Sequence, residues 1–124
     1  MELRKDWDVM VKKAIRGCTP NNYKLLLAVL GNFSPSMFIP LIDESICTQM
    51  LTIITQVNSV LDKKGHSDSI NLLTNISETF NGMQYILNNR NAIEYIHKLF
   101  GEEEFTDQIA GILIVMMRNS MGDW

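Results

Sequence analysis

The chain has two cysteines, Cys18 and Cys47, and two histidines, His66 and His97. Two thiols cannot make the dense disulfide framework on which small secreted domains depend. Neither cysteine has the flanking motif of a nucleophile. The histidines are far apart in sequence and lack a cysteine or carboxylate pair at ligand spacing, so neither a metal nor a cofactor is expected. Cationic residues are outnumbered, 11 Lys and Arg against 14 Asp and Glu, for a net charge of −3. That balance argues against nucleic acid, which is bound through clustered cations. The short basic groups Lys12-Lys13-Arg16 and Lys63-Lys64 read as solvated helix faces. Glycines are scattered, and no Gly-rich loop leads into Lys-Ser or Lys-Thr to cradle a phosphate. The most apolar run, Ile109 to Met117, is about nine residues, under half of the roughly 20 that a membrane span needs. Met1-Glu2-Leu3-Arg4-Lys5-Asp6 does not open like a signal peptide, so the expected compartment is cytoplasmic, with the nucleus also open. Two sequons, Asn32-Phe33-Ser34 and Asn75-Ile76-Ser77, fall inside helical patterns where a glycan would disrupt packing.

What is present is helix. Of 124 residues, 46% are apolar and 20% charged, enough for one folded domain over residues 1–124. Leu3, Trp7, Met10, Val11 and Ala14 recur at helical spacing before Gly17. Thr19-Pro20-Asn21 opens a segment, Tyr23 to Phe33, apolar nearly all round, as suits a helix sandwiched between neighbours. Ser36 to Ile42 reads as a short helix that Pro40 limits. Asp43-Glu44-Ser45 starts the next, with Ile46, Met50, Ile53, Ile54, Val57 and Leu61 inward and a stop at Lys63-Lys64-Gly65. Ser67 or Asp68 then caps a helix carrying Ile70, Leu72, Leu73 and Ile76. Asn81-Gly82 begins a short one, Asn88 to Asn91 turns, and Ala92 to Phe100 follows. Glu102-Glu103-Glu104 heads the last, Phe105 to about Met121. Strand-like alternation bounded by hairpin turns is absent. The expectation is all-α, with about eight helices. The methionines fall at helical spacing and read as core.

The pattern repeats. Leu30-Gly31-Asn32-Phe33-Ser34 matches Leu73-Thr74-Asn75-Ile76-Ser77 after about 43 residues. The same shift carries Val29 to Leu72 and Val115, Leu27 to Ile70 and Leu113, and Ser34 to Ser77 and Ser120. Upstream it aligns Trp7, Met50 and Ile93, then Met10, Ile53 and Ile96. Phe33 and Ile76 fall on Asn119, and Val11 and Ile54 on His97, which break their columns. The approximate units are 1–35, 36–79 and 80–122; the second and third each have a short, a middle and a long final helix.

Ile70 to Ser77, followed by Gln84-Tyr85-Ile86 and Ala92-Ile93-Glu94-Tyr95-Ile96, resembles the armadillo pattern in which a third helix ends in Leu-x-Asn-Leu-Ser. The resemblance is diffuse, covers most of the chain and reaches the superfamily level. It implies a short right-handed α-solenoid of about three repeats. It also implies that the third helices line a groove holding an extended peptide or a helix of a partner protein. The family's backbone-holding Asn falls on Asn32 and Asn75. Arg118 stands at the third equivalent position with Asn119 beside it. Nuclear-import members carry Trp four residues before that Asn; here Ala28 and Asn71 stand there, so their basic-signal ligands are not implied. Asn71 instead adds an amide to the candidate row. An amide both donates and accepts, so it can hold a peptide unit whatever its side chain. The same asparagines serve equally as helix-end caps or as hydrogen bonds between units.

The function expected is a non-catalytic protein-interaction scaffold. A homo-oligomeric structural role is the main alternative, in which Trp7, Met121 and Trp124 either cap the stack or join copies. A compact helical adaptor of another class is a third reading, as is a fragment of a longer repeat protein. The placement of residues 22–34, 66–77 and 109–120 separates a stack from a bundle.

Overall fold

A computed structural model describes residues 7–121, apart from the side chains of Leu25, Pro35 and Met121. Among these residues the chain is helical throughout, without strands. Eight α-helices follow one another: α1 (Trp7–Arg16), α2 (Tyr23–Gly31), α3 (Pro35–Phe38), α4 (Glu44–Val57), α5 (Lys63–Ser77), α6 (Phe80–Leu87), α7 (Arg90–Phe100) and α8 (Thr106–Met121).

Their starts are written in single side chains. Asp43 accepts from the Ile46 N–H at 2.8 Å and Asp62 from that of Gly65 at 2.7 Å. Thr79 accepts from the Gly82 N–H and Asn89 from the Ala92 N–H, both at 3.0 Å. Each side chain satisfies a backbone donor that the first turn leaves without a partner. The Asp62 cap moves one expected boundary. Lys63-Lys64-Gly65 is the opening turn of α5 and not a stop, and His66 lies within that helix. The expected helix to Leu61 ends early at Val57, where the Asn58 amide takes the Thr55 carbonyl at 3.1 Å and competes with the ladder. The expected Ser36–Ile42 helix is one α-turn, then a 3-10 turn at Ile39–Leu41, because Pro40 brings no N–H.

The helices pack in two rows. In one, α5 lies between α2 and α8, and these are the most extensive helix contacts in the fold. In the other, α4 lies between α1 and α7, while α6 wedges among α4, α5 and α7. Ile46, Leu51, Ile70, Leu73, Ile76, Ile86, Phe105 and Ile109 form the buried core between the rows. Each such side chain contributes roughly 1.5–3 kcal/mol of burial. Met50, Met83 and Met116 join it, whereas Met10 and Met117 face outward.

Two glycines allow backbones to touch. A Cβ at Gly31 would lie 2.8 Å from the Asp68 carbonyl oxygen, so α2 and α5 approach where no side chain intervenes. A Cβ at Gly82 would fall onto the Ile76 carbonyl, which locks α6 against the end of α5. α2 is not sandwiched as its composition suggested. Its long contact is with α5, and Val29 on the far side is exposed. α1 likewise buries Ile15, with Trp7 and Val11 half-buried, while Met10 and Ala14 point outward.

Candidate functional site

The candidate asparagines converge on one edge of the α2–α5–α8 row, where these helices end. Asn32, the residue closing α2, is exposed and donates its amide to the Ala28 carbonyl at 2.6 Å. Asn75, in the last turn of α5, is buried and donates across to the Phe33 carbonyl beyond α2 at 2.8 Å. Asn119, in the last turn of α8, donates across to the Ser77 carbonyl at the end of α5. The two cross-helix bonds are the same bond made twice, each tying one helix end to the end of the helix before it. A helix-end carbonyl would otherwise be left without a donor, and burying it unpaired costs about 1–3 kcal/mol. Ser77 is fully buried, and its hydroxyl donates to the Leu73 carbonyl at 2.8 Å.

Arg118 is exposed and its guanidinium lies 3.6 Å from the Glu78 carboxylate, joining α8 to the residue that closes α5. Asn71 is exposed one turn before Asn75. Asn32, Asn71 and Arg118 thus face solvent, whereas Asn75 and Asn119 each spend an N–H within the fold. Trp7, at the start of α1, is half-buried and edge-on to Phe33, the residue after Asn32, with ring centroids 6.4 Å apart. Trp124 and the side chain of Met121 lie outside the described residues.

A polar cluster not singled out in the sequence sits between α5 and α7. His66 Nδ1 lies 2.8 Å from the Tyr95 hydroxyl, and the His66 ring also packs on Phe105. Burial pushes the Tyr95 hydroxyl up to about 12, so it stays protonated and holds the helices together. The spacing of His66 and Tyr95, 29 residues apart, carries no local signal.

Both thiols are buried. Cys47 is fully buried, and its pKa is pushed to about 12 by burial and then by the nearby Asp43 charge. Burial also raises Cys18. A thiol held protonated is a poor nucleophile. Among the described residues, no three His, Cys, Asp or Glu side chains are grouped to hold a metal ion. Among the same residues, no helix is long and apolar enough to cross a membrane. No family model matches the chain, and neither a curated protein nor a solved structure is similar to it.

Proposed function

We propose that this chain is a non-catalytic protein-interaction scaffold: a short right-handed α-solenoid of three armadillo-like units that holds a peptide or helix of a partner protein. The observation carrying this reading is the α2–α5–α8 row, stitched twice by the same asparagine-to-carbonyl bond. Helices of unrelated position in a bundle have no reason to share an end-to-end bond. Successive copies of one packing unit do.

The bonds also sharpen the alignment. Asn75 follows Asn32 by 43 residues (75 − 32) and Asn119 follows Asn75 by 44 (119 − 75), so the second step is one residue longer than the first when the asparagines are matched. Asn119, rather than Arg118, then stands with Asn32 and Asn75. The added residue is accommodated before α8, where residues 101–105 form turns. On this reading Asn75 and Asn119 set the spacing of the row. Asn71, Asn32 and Arg118 supply the polar groups that meet the partner, and the Glu78–Arg118 pair opens to exchange its charges.

A photo-reactive amino acid at position 71 tests this, with the same group at exposed Glu94 on α7 as the control. Cross-linking to a partner protein in cell extract from position 71 and not from 94 is the expected result. Equal yields from both faces would sink the groove.

A further inference from the structure

We infer that copies of this chain stack head to tail, the outer side of α8 in one copy seating in the groove between α1 and α2 of the next. The inference rests on the alignment of α2, α5 and α8 given above. Leu27, Ile70 and Ile114 form one column of that alignment, and Leu30, Leu73 and Met117 another. In α5, where the row continues, Ile70 is 1% and Leu73 0% exposed. In α8 the corresponding Ile114 and Met117 are 62% and 61% exposed. A third column, Val29, Leu72 and Met116, behaves in the opposite sense. Val29 in α2 is 46% exposed, whereas Leu72 and Met116 are 2% and 8%.

Exposure therefore appears where, among the described residues, no further helix covers the row, and on opposite sides of α2 and α8. The end of α8 offers the residues that α2 and α5 use to receive a following helix. α2, at the other end of the row, exposes the residue whose counterparts α5 and α8 bury. The occupant that fits both is a second copy. Val29 borders an apolar groove with Val11, Leu26 and Phe33, wide enough to take a ridge of side chains.

Charge is complementary at the same junction. Within the chain, Lys63 at the start of α5 pairs with Glu104 in the α7–α8 turn at 3.4 Å. In the stack, the α7–α8 turn takes the place of the α4–α5 turn, and the end of α1 in the next copy takes the place of the α7–α8 turn, with the charges reversed. Exposed Lys13 and Arg16 then meet exposed Glu103 and Asp107. Because the two patches differ, the contact is heterologous and does not close at a dimer unless its rotation forms a ring.

Sedimentation of the full chain over a concentration series, with Ile114→Glu and Val29→Glu, tests the inference. The wild-type chain should grow beyond a dimer, and each variant alone should stay monomeric. An equimolar mixture of the two should form a heterodimer, because each keeps the patch the other has lost. Both positions are exposed, so far-ultraviolet dichroism and melting should stay as in the wild type. A monomeric wild-type chain overturns the stacking, as does a closed dimer sensitive to only one substitution. Neither result bears on the cross-linking from position 71, which scores the peptide groove separately.

Discussion

α5 and α8 carry the same apolar pattern and meet different fates. Both end in an asparagine that reaches back to the preceding helix of the row, and both bury a large apolar side chain three residues before it, Leu72 and Met116. On the opposite side they diverge. Ile70 and Leu73 are buried in a helix flanked by α2 and α8, whereas Ile114 and Met117 are exposed. The two helices differ in neighbours more than in composition. Burial is thus a property of a position in the row, and a substitution has a price only where a neighbour feels it.

The largest separation should come from truncating one column. Leu73→Ala should lower unfolding free energy by about 3 kcal/mol in urea titration, through lost burial and the cavity left behind. Met117→Ala, its counterpart, should change it by less than about 0.5 kcal/mol when measured dilute enough for the chain to be monomeric. Equal losses at the two positions would mean that α8 is covered in solution. Next is Gly31→Ala, which forces α2 away from Asp68 and should cost about 2 kcal/mol, as overpacking does. Wild-type stability there would show that the helices part freely. Asn75→Ala should cost about 1.5 kcal/mol, because the Phe33 carbonyl loses its donor. Asn32→Ala, whose amide bonds its own helix at the surface, should be close to neutral.

The smallest effect concerns pH. The Asp43 carboxylate is held below its ordinary value of 3.8, chiefly by the Ile46 N–H it accepts and then by Lys12 at 3.2 Å, with burial opposing. A carboxylate with a lowered folded pKa adds stability above its unfolded value and loses it as pH falls through the folded one. Asp43→Asn keeps the cap and removes the charge. Its stability should therefore fall less than the wild type's on acidification below pH 3.8, an effect screened by solvent and added salt. Parallel acid titrations of the two proteins would deny Asp43 that role.

Much of the fold is legible without coordinates. Apolar residues at helical spacing mark each long helix, and Asp43 announces where one begins. Thr79, by contrast, caps α6 two residues before the expected Asn81-Gly82 start, and Asn89 caps α7 from within the expected turn. The start of α5 is less legible, because Lys63-Lys64-Gly65 carries the marks of a stop and one carboxylate, Asp62, converts it into a first turn. The candidate row is half legible. The shared ending of Asn32 and Asn75 stands out, but an amide carries no address. Whether it reaches its own helix, as Asn32 does, or the preceding one, as Asn75 does, depends on a carbonyl that packing brings within 3 Å. On the proposed repeat, the alignment of Asn119 is hidden by one added residue, which a turn absorbs at little cost and a helix cannot.

Helical class, the approximate unit length and the lack of chemistry-bearing motifs are therefore properties of the sequence alone, because spacing, caps and residue counts are local or additive. The side-by-side row of α2, α5 and α8, the burial of Asn75 and the exposure of Ile114 and Met117 were decided by tertiary structure. Each depends on which surface lies opposite. A helix with the same residues is core or interface according to whether another helix covers it.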